Sequence, residues 1–470
     1  MTSCTSQQST ANCFIDLATF SEAEGYYYGG PHAITWFVRG VQKANWFSFI
    51  PISLRSQGTH DFGHKMSSSA VNRSGDYVLN IWFRAQIPQI QLSGTADIFA
   101  DSKVRWTRNL MHNLFSKVSM TFNELTVAEM DNYFLDVHYQ FNLVGAKRIG
   151  YRNMIGDIAT MTANVGPGDV LGTGGFFEVP FPFWFAQDSG VALPIAALPF
   201  NDVKINYDFR RWQDLIVVHP GTAGGARAAV AADVHIFGQP TNEPALANQA
   251  TWCHYAVLHN DERVKMGDAP RDMLIKQIQS PQASPINDLT VQSTIDLRLS
   301  HAIIVFYFMA QNISHLKRGD GGGEWSNYTT EPGYSGGDPV SDACLTYEST
   351  TRVRMGADYY SLMAPYFWSD AIPDWSGYHE YSYSLHPGGY NPAGSTNYSK
   401  LANVSLSCEF STAAQNAGAA APVDSNGADI QLPNSAGDLV AFPQIFQKVF
   451  IAENWNVGRI ANGSFGHPTL

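Results

Sequence analysis

Apolar and polar residues alternate with a period of two at several places along the chain. In residues 77–86, Tyr77, Leu79, Ile81, Phe83 and Ala85 alternate with Val78, Asn80, Trp82, Arg84 and Gln86. Successive side chains of a strand point to opposite sheet faces, so this run predicts a strand with one predominantly apolar face. The pattern recurs where Val118, Met120 and Phe122 flank Ser119 and Thr121, and where Val203, Ile205, Tyr207 and Phe209 alternate with Lys204, Asn206 and Asp208. Ile295, Leu297 and Leu299 repeat it against Asp296 and Arg298, followed by the fully apolar run 303–309. Val404, Leu406, Cys408 and Phe410 alternate with Ser405, Ser407 and Glu409, and residues 449–460 read as a closing strand. Residues 123–144 break the alternation. There Leu125, Val127, Met130, Phe134, Leu135 and Val137 could line one side of a helix, so a short helix inside a β domain is expected.

Between these runs lie turn-rich segments. Residues 165–175 form a glycine-rich loop, and 317–342 a long polar one with seven glycines and two prolines. Pro387, Gly388, Gly389, Pro392 and Gly394 punctuate a loop after the strand-like 381–385, and 412–427 is rich in Ala, Asn and Gly. Long loops add little closure entropy per residue and usually carry contacts, which is the expectation for 317–342.

At 470 residues the chain exceeds one typical core and fits two domains. Charged residues make up only 15%, aromatics 13%, and Gly and Pro number 40 and 24, a profile of short strands and turns rather than long surface helices. The expected division is an arm at 1–30, a first domain at 31–219 ending with the 203–209 strand, a linker at 220–226 and a second domain at 227–470. The arm is apolar enough at 14–20 to dock, and a first core strand there is the competing reading.

The net charge of −12 is uneven: residues 1–225 carry 16 basic against 18 acidic residues, and the remainder 13 against 23. No basic run exists that would release counterions from phosphates, so direct nucleic-acid binding is not expected. Five scattered cysteines, Cys4, Cys13, Cys253, Cys344 and Cys408, do not form a secreted disulfide framework, although Cys4 and Cys13 could pair. The N-terminal residues lack the charge and apolar core of a signal peptide, and the longest apolar stretch, 302–310, is too short to span a bilayer; a soluble chain is expected. Sequons at Asn72, Asn312, Asn327, Asn397, Asn403 and Asn462 are read as chance products of composition.

Catalytic chemistry has little support. Gly333-Tyr-Ser335-Gly-Gly337 matches a nucleophile-elbow spacing, but turn residues replace the strand and helix that the motif requires. Gly172-Thr-Gly174-Gly175 lacks the residues that complete a phosphate loop. His60 with His64, and His254 with His259, sit in no metal-ligand pattern, and no CxxC occurs. No catalytic, cofactor or metal residue is therefore assigned, and an enzyme is not expected. The 11 Trp and 21 Tyr with abundant acids also permit a carbohydrate-binding or glycan-active two-domain β-sandwich; core and interface packing accounts for the same aromatics.

The segment Tyr381-Ser-Tyr-Ser-Leu-His-Pro-Gly-Gly-Tyr-Asn-Pro through Phe410 resembles the major capsid protein of the large icosahedral DNA viruses of eukaryotes, the iridovirus and marseillevirus kind. So do Arg105-Trp-Thr-Arg-Asn-Leu-Met-His-Asn-Leu114, Ala146-Lys-Arg-Ile-Gly-Tyr-Arg-Asn-Met-Ile-Gly156, Phe181-Pro-Phe-Trp-Phe185 with Asp188-Ser-Gly190, and Leu198-Pro-Phe-Asn-Asp202. Trp325-Ser-Asn-Tyr-Thr-Thr330 and Glu453-Asn-Trp-Asn-Val-Gly-Arg-Ile460 complete the set, in matching order across both halves. The resemblance implies an all-β double jelly roll, two consecutive eight-stranded jelly rolls with a short helix and long loops. It implies a homotrimer forming a pseudo-hexameric capsomer in an outer icosahedral capsid. Implied partners are neighbouring capsomers and minor capsid and penton proteins, with an inner membrane close by, in a virion assembled in the host cytoplasm. Phe14, Ile15, Leu17 and Phe20 are then the candidates for docking the arm to minor capsid proteins, and the loops around Trp325 and 412–427 are expected near the outer tower. The ending Gly463-Ser-Phe-Gly-His-Pro-Thr-Leu470 matches the family only in part, leaving open whether it closes a sheet or forms a tail.

Overall fold

The computed structural model describes residues 10–93, 102–219, 227–228, 233–239, 242–268, 270–314, 323–424, 426–433 and 439–467. The chain divides into two units, Met1–Trp46 and Phe47–Leu470. Among its described residues the first carries the helix α1 (Thr10–Ala18) and a short 3₁₀ turn at Glu24–Tyr26.

In the second unit, the first half supplies β1 (Phe47–Ser53), β2 (Ser67–Ala70), β3 (Tyr77–Gln86), β4 (Phe115–Phe122), β5 (Leu125–Met130), β6 (Phe176–Pro180), β7 (Val203–Phe209) and β8 (Ala247–Leu258). The second half supplies β9 (Arg271–Gln279), β10 (Ser293–Asp296), β11 (Ala302–Asn312), β12 (Val340–Tyr347), β13 (Thr350–Gly356), β14 (His379–Ser382), β15 (Val404–Phe410) and β16 (Phe446–Ala461). One sheet of the first half runs β1-β8-β3-β6 and the other β2-β7-β4-β5, extended beyond β2 by the short edge strand Arg55–Gln57, all neighbours antiparallel. In the second half the orders are β9-β16-β11-β14 and β10-β15-β12-β13. Adding eight to each strand number converts the first pair of sheets into the second. Each half is thus a jelly roll, two antiparallel sheets face to face with their alternating apolar faces turned inward.

Aromatic rings fill the first core: Phe115 lies 5.3 Å from Phe83 and 5.2 Å from Phe209 between ring centroids. In the second, Phe306 stacks on Phe450 at 5.2 Å. The alternation expected for β7 and β15 is realised residue for residue. In β3 it holds for Ile81, Phe83 and Ala85, but Val78 is buried while Tyr77 and Leu79 are only half-buried. The pairing with β8 slips by one residue between His254 and Tyr255, opposite Asn80 and Val78. An extra residue on one strand turns the following side chains to the other face.

The short helix expected within 123–144 occupies only Asn132–Asn142; Leu125, Val127 and Met130 lie instead on the strand β5 before it. Asn123 and Glu124 take left-handed backbone angles, φ +48° and +71°, and make the tight turn between β4 and β5. Such a two-residue turn matches the strand twist. A bulge in β5 then breaks the alternation, because the register slips between Met120 and Thr121 on the partner strand; that break mimics helical spacing. Helix begins only after Asp131, whose side chain accepts the amide of Phe134 at 2.8 Å. It forms α2 (Asn132–Asn142) and α3 (Gly145–Ile155).

Two further expectations change. The 203–209 strand does not end the first roll: β8 pairs with β1 and β3, so pairing of the first half reaches Leu258. The expected linker 220–226 lies outside the described residues. The segment 412–427 starts as the helix Thr412–Ala417, capped by Ser411, before it becomes irregular. The chain ending closes as a hairpin, Ser464–Gly466 folding back on β16, with the Phe465 ring stacked on Phe122 of the first roll at 4.7 Å.

Candidate functional site: the seam between the two rolls

Strand β11 is buried on both faces. Phe306 and Phe308 point into the second roll, while Tyr307 and Val305 join the cluster that fills the first roll. The outward face of the sheet β9-β16-β11-β14 is therefore not a surface but a seam. Helix α2, from the segment linking β5 to β6, covers it: the Phe141 ring lies 5.1 Å from that of Tyr307. Arg148 on α3 donates to Asp374 at 2.6 Å and, through its other nitrogens, to the carbonyls of Leu143 and Gln140. The backbone amide of Asp374 donates to the Gln140 side chain at 3.0 Å.

At the centre lies Asp136 of α2, with no exposed surface. One carboxylate oxygen accepts from Asn109 Nδ2 at 2.9 Å and is 2.7 Å from His112 Nδ1; the other accepts from Ser326 Oγ at 2.6 Å. His112 and Tyr151 are joined in turn, Nε2 to hydroxyl, at 2.8 Å. Asn113 donates to Ser326 Oγ at 2.9 Å, and Arg105 pairs with Glu324 in a salt bridge that is almost fully buried on both sides. Trp325 Nε1 donates to the carbonyl of Asp214 at 2.9 Å while its ring takes the Arg210 guanidinium at 3.9 Å. The partners come from both halves of the chain, the second supplying the donors Ser326 and Trp325 and the acceptor Glu324. A buried carboxylate costs several kcal/mol unless hydrogen bonds replace its water; here that condition is met only when the two rolls are together.

This corrects the reading of 317–342. Residues 315–322 lie outside the described residues, but Glu324 and 326–331 are buried in the seam rather than presented on an outer tower. Asn327 and Asn312, two sequon asparagines, are buried and bonded: Asn327 Nδ2 donates to the Glu331 carbonyl at 2.9 Å, Asn312 Nδ2 to Gln444 at 2.9 Å. Neither is open to glycosylation in the folded chain.

A second polar group lies on the same seam face. Glu380 and Tyr307 are cross-strand partners, and Glu453 sits opposite Val305. Glu380 is fully buried, and both its oxygens accept from Ser369 Oγ, at 2.7 and 2.6 Å. Loss of solvent pushes its pKa up to about 8, the Ser369 bond opposing and nearby Glu453 and Asp370 adding to the rise. Burial likewise raises Glu453 and lowers Lys276, against their mutual attraction.

The residues weighed for chemistry remain apart. Ser335 Oγ lies 3.3 Å from Glu331 Oε2 and 3.2 Å from the Pro332 carbonyl. His60 is buried, 3.1 Å from Ser69 Oγ, and His254 packs on Trp82 at 4.6 Å. Among the described residues no three His, Cys, Asp or Glu are grouped to hold a metal ion. Cys13 is exposed, Cys253, Cys344 and Cys408 are buried thiols, and Cys4 lies outside the described residues. Phe14, Ile15 and Leu17 on α1, and Phe20 in the turn beyond it, are all exposed in the first unit. Asp136 and Glu324 were missed from sequence, yet the blocks Arg105–Leu114 and Trp325–Thr330, noted there for their resemblance, contain their partners.

Two jelly rolls of identical strand order, fused through a buried seam, define a double jelly-roll capsid fold. Residues 35–259 match the family described as major capsid protein N-terminus, and residues 262–466 the large eukaryotic DNA virus major capsid protein family. The chain is 41% identical to the major capsid protein of Costelytra zealandica iridescent virus, over 97% of this chain and 98% of that one. It is 40% identical to that of Invertebrate iridescent virus 3, with the same coverage. Among solved structures, PBCV-1 VP54 superposes with a TM-score of 0.68 at 20% identity over 93% of this chain and all of that one. The Faustovirus major capsid protein gives 0.66 at 12%, over 92% and 93%. The chain belongs to the major capsid protein family of large eukaryotic DNA viruses.

Replacing Asp136 by Ala strands donors from both rolls, and the expected loss is about 3 kcal/mol. A denaturation cycle with Ser326→Ala should give a coupling of at least about 1 kcal/mol; additive losses would mean that the bond across the seam contributes nothing. Glu380 titrates higher in the folded than in the unfolded chain, so its contribution to stability falls as pH rises from about 4.5 to about 8 and then levels off. Glu380→Gln should therefore raise the unfolding midpoint more at pH 8.5 than at pH 5; an equal shift at both would rule out this assignment.

Proposed function

We propose that the chain is the repeating subunit of an icosahedral virus shell, working as a homotrimer whose six jelly rolls form a pseudo-hexagonal capsomer. The observation that carries this reading is the duplication: one chain holds two rolls of the same strand order, fixed to each other by a desolvated seam. Three such chains in a ring supply six similar outer edges, which is what tiling a nearly hexagonal lattice demands, and heterologous contacts between rings extend the tiling. The two rolls correspond to 47–258 and 271–466. The subunit acts mechanically and not as an enzyme. It forms the outer capsid of the virion around an internal membrane, is assembled in the host cytoplasm, and leaves the genome to other components, in keeping with its net charge of −12.

The arm, with exposed Phe14, Ile15, Leu17 and Phe20, docks to minor capsid proteins beneath the capsomer, and penton proteins fill the vertices. Exposed apolar side chains clustered on one short segment favour a partner that covers them.

Sedimentation of the purified chain, with negative-stain images of the same peak, should give three chains and a six-cornered outline. Deleting residues 1–24 should leave that particle intact but impair shell assembly; loss of the trimer in the deletion would refute the role given to the arm.

A further inference from the structure

The first unit, Met1–Trp46, holds two pieces of opposite chemistry. Residues 10–24 carry Asp16, Glu22 and Glu24 and no basic residue. Beyond Glu24 the next acidic residue is Asp61, so Gly25 through His60 is free of negative charge while holding Arg39, Lys43 and Arg55. In a chain of net charge −12 such a gap sets the segment apart. Its basic residues are too widely spaced to hold a polynucleotide backbone.

The same stretch exposes large apolar side chains in a row. Tyr26 is 93% exposed, Trp36 90%, Phe37 96% and Trp46 83%, with Ile34 and Val41 open between them. Single exposed hydrophobic residues are ordinary, but a contiguous row of this size marks a surface that is covered in use. The residue types say by what. Trp and Tyr join an apolar ring to a polar edge and settle where lipid headgroups meet acyl chains, and Arg and Lys pair there with anionic headgroups. Residues 27–46 form no helix or strand, so their peptide groups lack the pairing that hydrocarbon demands. The segment therefore suits the wet boundary layer of a bilayer and not its core. Residues 10–24, acidic throughout, would be repelled by an anionic surface and are left to the protein partner assigned above.

We propose that residues 26–46 lie along the surface of a bilayer containing anionic lipid, with the aromatic rings at headgroup depth and Arg39 and Lys43 against the headgroup charges. The acidic remainder of the chain is held off by the same surface charge, so the subunit is oriented with this segment towards the lipid. The proposal rests on the capsomer reading for its valency alone: three segments on one trimer turn a weak contact into a firm one.

The test floats the purified full-length trimer with phosphatidylcholine vesicles carrying about 30% phosphatidylserine. The trimer should float with these and not with phosphatidylcholine alone, and binding should fall as salt is raised from about 0.1 M to about 1 M. Arg39→Gln together with Lys43→Gln should weaken binding at least about 30-fold, and Trp36→Ser with Phe37→Ser at least as much, with sedimentation and the unfolding midpoint unchanged. An environment-sensitive dye on Ile34→Cys, in a chain whose Cys4 and Cys13 are replaced by Ser and whose other thiols are buried, should shift its emission to the blue when the anionic vesicles are added. A trimer that does not float would overturn the lipid contact and leave the capsomer standing. So would a dye already blue-shifted before lipid is added, which would place a protein surface over the segment. Monomers that still float would overturn the capsomer and keep the lipid contact.

Discussion

A carboxylate with no exposed surface can stay in a folded protein only where donors take the place of water, and Asp136 finds its donors on two jelly rolls at once. That requirement couples the halves more tightly than apolar contact would. Apolar faces can slide or repack at modest cost, whereas a half-satisfied polar network is worse than none. The Arg105–Glu324 pair and the Trp325 contacts to Asp214 and Arg210 extend the same constraint along the seam. The two rolls have no independent resting geometry in which these groups are satisfied.

From this follows the mechanical character of the subunit. A shell component must hold its shape while its edges are loaded by neighbours, and a subunit hinged in the middle would spread that load into bending. The fused core, in which Tyr307 and Val305 of the second roll join the cluster that fills the first, removes the hinge. Titratable groups on the seam, Glu380 and Glu453 among them, then make its strength depend on pH.

Much of the sheet structure was legible in the sequence. Strands such as Val203–Phe209 and Val404–Phe410 have one wet and one dry face, and alternation reports that directly. It failed where an extra residue interrupts pairing, at Leu79 in β3 and around Val127 in β5, since a bulge shifts the period without changing composition. It failed also at the first roll's end, because β8 joins its sheet after a long excursion that leaves no mark on local pattern. The seam was the least legible part. Glu324 and Ser326 are polar residues in a glycine-rich stretch, which locally describes a surface loop; only their partners, 219 and 190 residues away, make them interior. The resemblance blocks contained Ser326, Arg105 and Asn109 but gave no reason for them, and the structure supplies it.

The central claim, that the chain's two rolls are held as one body by a buried polar seam, is tested most directly by hydrogen exchange resolved by peptide. Residues 324–330, which resemble an exposed loop in sequence, should exchange as slowly as 105–113 and the core strands β11 and β16, and the two segments should open together as denaturant is added. Fast exchange of 324–330 at rates typical of surface loops, with the strands still protected, would contradict the account.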